Sequence, residues 1–218
     1  MALEVPLGVG AVTIYGAGGH GRVVADIVAR SSTGRVIGYL DDRPELFQRS
    51  ILGHAVLGGW EALASTWRRD SSLIIAIGDN DRRAELVARA LAAGYRFATA
   101  IDPSAQIGAD VMIGPGTVVM PNAVINTGAR IGAHVIVNTS ASVDHDSRVG
   151  DYSHISPGAH LGGGVIVGSR SHVGIGASVI PGVRIGDRTI VGAGAAVIRD
   201  VPSDVVAVGN PAAVIKRR

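Results

Sequence analysis

An aliphatic residue recurs at every sixth position from Ile101 to Val197 without one slip. The series opens with Ile101, Ile107, Ile113, Val119, Ile125 and Ile131, and closes with Ile185, Val191 and Val197. Four residues beyond each anchor the side chain is small or β-branched, as at Ala105, Val111, Thr117, Ala123 and Ser147. A period of six fits neither the 3.6 of a helix nor the alternation of a hairpin-linked antiparallel sheet. It does fit a β-solenoid, in which each hexad supplies one short strand and one corner. The anchor then fills the core and the small residue fits beside it. The glycine that often follows the anchor, as in Ile113-Gly114 and Val149-Gly150, is expected to tolerate the turn.

Composition supports a narrow, repetitive core: the chain has 31 glycines and only 4% aromatic residues. Its formal charge is +2, and neither the part before Ile101 nor the part after it carries a marked excess of either sign. Nucleic acid is therefore not an expected partner. There is no cysteine, which excludes disulfides, zinc-thiolate sites and an acyl-cysteine intermediate. No basic leader and no apolar run of about 18 residues is present, so membrane insertion is not expected and a cytoplasmic location is.

The first hundred residues read differently. Strands are expected at Ala11–Tyr15, Val36–Leu40 and Leu73–Ile77, with helices over Arg22–Ala29 and Arg82–Ala93. Strands alternating with helices imply a small parallel α/β sheet. Gly16, Gly18 and Gly21 form a G-x-G-x-x-G turn between the first strand and its helix, where glycines let a phosphate approach helix-terminal amides. Asp41 and Asp42 follow at the end of the second strand, where an acid can hold a ribose hydroxyl. About 100 residues are too few for a dinucleotide domain plus a catalytic domain, so a mononucleotide or nucleotide-sugar site fits better. The plainer alternative is that these glycines only shape a tight turn.

The hexads resemble the hexapeptide-repeat acyltransferases, whose left-handed parallel β-helix uses three hexads per coil. The ending Val208-Gly209-Asn210-Pro211-Ala212-Ala213-Val214-Ile215 resembles their closing segment. The resemblance implies an α/β half-Rossmann module over 1–100, a left-handed parallel β-helix over 101–202 and a closing segment over 203–218. It also implies a homotrimer with acetyl-CoA bound between neighbouring helices. With Gly16-Ala17-Gly18-Gly19-His20-Gly21 in front, the chain is similar to the sialic acid O-acetyltransferase and bacillosamine-type N-acetyltransferase group, from Val12 to Ile215. In that group the N-terminal module binds the nucleotide sugar. Substrate contacts are then implied at Gly18, Gly19, His20, Asp41, Asp42 and Gly78.

His145 lies in Asp144-His145-Asp146 and belongs to neither inward-facing series, so its ring can point away from the core. The segment matches the stretch around the group's catalytic base. Acetyl transfer to an amine needs a group to take the proton, and imidazole suits this near neutral pH. Asp146 is the expected partner of the imidazole, with Asp144 as rival. For acetyl-CoA the resemblance implies His154, with Gly163, Ile175 and Ala193 along the coil edges; His172, 18 residues on, is expected to stack beside His154. The tail Lys216-Arg217-Arg218 either meets the CoA phosphates or is a solvated basic end. No metal is expected, because no two histidines are five residues apart as in the zinc-dependent β-helix carbonic anhydrases. His134 is expected at the surface.

The expected activity is acetyl-CoA-dependent N-acetylation of a UDP- or GDP-linked 4-amino sugar by direct transfer. O-acetylation of a sialic acid-type sugar and a non-catalytic scaffold are the alternatives.

Overall fold

The computed structural model describes residues 10–31, 33–66 and 71–218. The chain divides into two units, one reaching Pro103 and the other running from Ser104 to Arg218.

In the first unit, β1 (Gly10–Tyr15) is the middle strand of a parallel sheet, flanked by β2 (Gly34–Leu40) and by the later strand Ser71–Ile75. Between β1 and β2 runs α1 (Gly19–Arg30), whose Val24, Ile27 and Val28 recur at helical spacing and are buried. A helix at Asn80–Ala92 follows the third strand. Its N-cap is Asp79, which accepts the Arg82 N–H at 2.7 Å. Between β2 and the third strand lie a small hairpin (Ser50–Ile51 with His54–Ala55) and a short helix (Ala62–Thr66).

Two boundaries differ from expectation. The first helix starts at Gly19, so Gly19 and His20 belong to its opening turn. The third strand spans Ser71–Ile75, and Ile77 lies beyond it against the Gly16 turn, its Cδ1 3.0 Å from where a Gly16 Cβ would stand. With all three strands parallel, the segments after Tyr15, Leu40 and Ile75 emerge at one sheet edge, the edge at which open α/β sheets take ligands.

The second unit is a left-handed parallel β-helix of about six turns. Sixteen two-residue strands run from Gln106–Ile107 to Ala196–Val197, and in each the second residue is a hexad anchor. Pairing connects residues 18 apart, Val124 with Ser142 and Ser142 with His160, so three hexads make one coil. Three ladders result, one on each face of a triangular prism. The anchors from Val119 to Val197 are buried, and so are the small residues beside them. Val205–Val208 extends one ladder, and Ala213–Arg217 pairs antiparallel with it at the end.

The glycine after the anchor has a different job from the one expected. The left-handed corner residue lies three positions past the anchor, as in Asn122 (φ 57°) and Asp146 (φ 59°). The glycine immediately after the anchor is instead a point of close approach between coils. A Cβ on Gly114 would lie 2.6 Å from Ala133 N, and one on Gly168 2.5 Å from Asp187 N. A second device crosses coils as well. Ser153 Oγ donates to Gly168 O (2.7 Å) and accepts from Ser171 N (3.0 Å), and Ser171 repeats this toward Gly186 O and Thr189 N. Buried hydroxyls are thereby satisfied within the core column.

His134 is not a surface residue. It is 4% exposed and stacks on Tyr152 one coil away, with centroids 5.4 Å apart and planes within 5°. Both side chains stand at the left-handed position of the same corner, so the 18-residue repeat aligns them. Among the described residues no helix is long and apolar enough to cross a membrane.

Candidate active site

His145 sits at the corner between the strands Ser142–Val143 and Arg148–Val149. The backbone there is pinned from below, Asp146 N–H donating to Thr127 O at 3.2 Å. Asp146, in the left-handed conformation, swings its carboxylate back to the ring, and Oδ2 stands 2.9 Å from His145 Nδ1. Asp144 serves the backbone instead: its Oδ1 accepts from His145 N–H (2.7 Å) and from Asn126 Nδ2 (2.7 Å). The hydrogen bond to Asp146, followed by the charge of Asp144, raises the His145 pKa above its ordinary 6.5. With Nδ1–H donated to a carboxylate, Nε2 carries the free lone pair, which is the arrangement a general base needs. Gly163, on the same corner one coil further, lies directly against the ring from the other side. A Cβ there would be 2.5 Å from His145 Nε2.

The other residues implied for acetyl-CoA lie elsewhere on the solenoid. His154 is in the strand His154–Ile155, stacked on His172 at 4.7 Å between centroids. Ile175, 61% exposed, and Ala193 occupy the corner that follows this face and are linked by Gly194 N–H to Ile175 O (2.8 Å). Following the chain around one coil, the corner of His145 and Gly163 is opposite the face bearing His154 and His172. One solenoid therefore brings His145, Asp146 and Gly163 together, and His154, Ile175 and Ala193 together, but does not join the two groups.

In the first unit the turn after β1 is tight: Gly16 has φ 109°, and a Cβ on it would stand 2.6 Å from Ala76 O. Gly18 caps α1 without a side-chain bond, and no acidic residue occupies the first helical turn. A cleft of about 450 Å³ opens here, lined by Gly18, Gly19, Arg22, Arg43, Arg49 and Ile51 among others. Its three arginines were not singled out in the sequence. The available signal was Arg43, two residues past the acid that holds it.

Asp41 and Asp42 are committed to protein partners. Asp41 accepts Ala17 N–H (2.8 Å), Arg43 N–H (3.1 Å) and both Nε and Nη2 of Arg43 (2.8 and 2.9 Å). Chiefly through the Arg43 guanidinium, its pKa falls to about 2. Asp42 accepts Tyr15 Oη–H (2.5 Å) and Trp60 N–H (2.9 Å). Burial, followed by the hydrogen bond to Asp42 and the Asp42 charge, pushes the Tyr15 hydroxyl upward. His20 is half-buried and its Nε2 has no hydrogen-bond partner. Burial, helped by the charge of Arg83, lowers its pKa to about 4, so the ring is neutral at physiological pH. Gly78 O accepts from the buried Arg83 at 3.3 Å. Only Gly18 and Gly19 of the six implied substrate residues line the arginine cleft.

Among the described residues no cluster of three His, Asp or Glu side chains could hold a metal. Residues 11–90 match the family described as PglD N-terminal domain, and residues 104–139 match bacterial transferase hexapeptide (six repeats). The acetyltransferase domain of PglB from Neisseria gonorrhoeae is 36% identical, with a TM-score of 0.89 over 94% of this chain and 99% of that one. PerB from Caulobacter crescentus, solved in complex with CoA and GDP-perosamine, is 41% identical, with a TM-score of 0.88 over 96% of this chain and 99% of that one. The UDP-N-acetylbacillosamine N-acetyltransferase of Bacillus subtilis is 43% identical over 112 residues, so the matched stretch is 50% of this chain and 50% of that curated relative. With relatives more than a third identical matched over nearly their full length, the chain belongs to the bacillosamine-type N-acetyltransferase group of the hexapeptide-repeat family.

Proposed function

We propose that this protein transfers the acetyl group of acetyl-CoA to the amino group of a nucleotide-linked 4-amino sugar. The observation that carries this reading is the His145–Asp146 pair, whose Nε2 faces outward over Gly163. As the sugar nitrogen attacks the thioester carbonyl, His145 Nε2 accepts its proton, and Asp146 stabilises the imidazolium that forms. The C–S bond breaks, and the same imidazolium returns the proton to the departing thiolate. The chain has no cysteine to carry the acetyl group, which favours one direct transfer.

The α/β module takes the nucleotide. Three arginines at a glycine turn with free helix-terminal amides match the charge of a diphosphate, UDP- or GDP-linked. Because Asp41 already holds Arg43, its proposed part is to aim that guanidinium at the phosphates rather than to hold ribose itself. The solenoid takes acetyl-CoA. Since His145 and His154 lie on opposite sides of one prism, a site that uses both needs His145 from one subunit and His154 from a neighbour, as in a homotrimer. The related Caulobacter protein, solved with CoA and GDP-perosamine, supports the pair of substrates.

The test is thiol release from acetyl-CoA with UDP- and GDP-linked 4-amino sugars, to which the protein adds no thiol of its own. Release with one such sugar is expected. Release only with free hydroxylated sugars would replace this reading by O-acetylation.

A further inference from the structure

His154 and His172 are held by the same clamp, repeated one coil apart. Asn138 Nδ2 lies 2.9 Å from His154 Nε2, and Ser156 Oγ lies 2.7 Å from His172 Nε2. In each case the partner is 16 residues earlier, on the preceding coil, so both rings lean along the solenoid axis in the same direction. This shared lean is what lets them stack, with 4.7 Å between centroids and 26° between planes. In the ladder His154 has Ile136 on one side and His172 on the other, and His172 is followed by Ile190. The imidazole of His154 is thus packed between an aliphatic side chain and a second imidazole.

The orientation of Asn138 fixes more than direction. Its Oδ1 accepts the backbone N–H of Thr139 at 2.8 Å, so its NH₂ group is the end that faces His154. An amide NH₂ only donates, and Nε2 must therefore accept. The proton of the neutral ring is left on Nδ1. His154 accordingly carries its ring proton on Nδ1, which is buried, while Nε2 accepts from Asn138. Rotating the ring would break the Asn138 bond and the stack together.

We propose that His172 is a positioning residue whose stacked ring keeps His154 in the orientation that preserves its Asn138 bond, and with it the Nδ1–H tautomer, with Ser156 holding His172 in turn. The functional consequence rests on the proposed acetyl-CoA site: a displaced His154 ring weakens acetyl-CoA binding while the nucleotide-sugar site is untouched.

Two measurements on the full-length protein test this. In histidine-labelled protein, ¹H–¹⁵N correlations of the His154 ring are expected to show a protonated Nδ1 and an unprotonated Nε2. His172→Ala is expected to average the two signals and to raise KM for acetyl-CoA roughly tenfold, as a displaced binding group does, with KM for the nucleotide sugar within about twofold. His172→Phe keeps a flat ring against His154 and guards against loss of folding; it is expected to restore the wild-type His154 pattern and most of the affinity. An Nε2–H tautomer in the wild type overturns the proposal, as does a His172→Ala protein with unchanged His154 signals. Averaged signals with unchanged kinetics support the positioning and remove His154 from the acetyl-CoA site.

Discussion

The imidazole of His145 lies across Gly163, one coil further along the solenoid, with Nε2 2.5 Å from where a methyl group on that glycine would stand. The backbone of Gly163 is not in the left-handed region, so alanine is permitted there conformationally. The clash is with the ring alone, and the ring, 58% exposed, has solvent to move into. Gly163→Ala is expected to leave the melting temperature within a few degrees and to lower kcat by about 10²-fold, the scale set by moving a catalytic group by one ångström. A variant with normal kcat would show that His145 does not act from this position.

His145 must be unprotonated to accept a proton, so activity rises with pH through its pKa. Asp146 and Asp144 raise that pKa, which puts the acidic limb of kcat/KM above pH 6.5. Asp146→Asn removes the larger cause, and the limb is expected to move to lower pH while the plateau falls. His145→Ala should lower kcat by ~10²–10⁴ and abolish the limb. A limb that stays in place in Asp146→Asn would assign it to another group.

Asp41 has a depressed pKa of about 2. Its hold on Arg43 and Ala17 contributes to stability above the ordinary carboxylate range, near pH 3.8, and is lost as pH falls through about 2. Asp41→Asn is expected to move the acid-unfolding midpoint of the α/β unit upward, followed by the fluorescence of Trp60, whose N–H is bound to the neighbouring Asp42. With Arg43 no longer aimed, KM for the nucleotide sugar should rise about tenfold, as loss of a charge-assisted pair implies, with KM for acetyl-CoA unchanged. Equal effects on both substrates would argue against separate sites.

Two core variants separate kinds of coil-to-coil contact. Gly168→Ala places a Cβ 2.5 Å from the backbone of Asp187, which cannot swing aside, and should cost about 1–3 kcal/mol or prevent folding. Ser153→Ala deletes a hydroxyl between Gly168 O and Ser171 N–H. The equivalent groups one coil earlier, Gly150 O and Ser153 N–H, bond directly at 3.3 Å. The corner can close in the same way, so a loss of about 1 kcal/mol is expected rather than the ~3 of an orphaned pair. Urea unfolding of both variants measures the contrast.

The solenoid was legible because its anchors obey one period with no exception, and a period constrains every residue between its ends. The pairing of His145 with Asp146 was suggested by the resemblance of the segment, whereas the placement of Gly163 against the His145 ring was not foreseen. Roles that depend on what lies 16 or 18 residues away were harder to see. Gly114 looked like a turn residue and is a contact point, while His134 looked exposed and is roofed by Tyr152. In the α/β unit, Asp41 and Asp42 carry the expected acids at the expected strand end, but a sequence does not show that Arg43, Ala17, Tyr15 and Trp60 already engage them. The arginines of the cleft come from two segments, Arg22 from α1 and Arg43 and Arg49 from the connection after β2, which no local pattern joins.

The pairing interval of 18 residues also sets the unit in which such a chain can change length. Duplicating or deleting a whole coil keeps every column in phase, whereas a single added residue within a strand would throw all later side chains out of alignment. Extra residues must therefore be expelled as loops at the corners. The corner carrying His145 is held on both sides, Thr127 O accepting from Asp146 N–H and Gly164 N–H donating to His145 O. The same grip recurs at other corners, Arg188 N–H donating to Ser169 O at 2.9 Å and Asp204 N–H to Asp187 O at 3.0 Å, so an insertion there must break the bonds that lock one coil to the next.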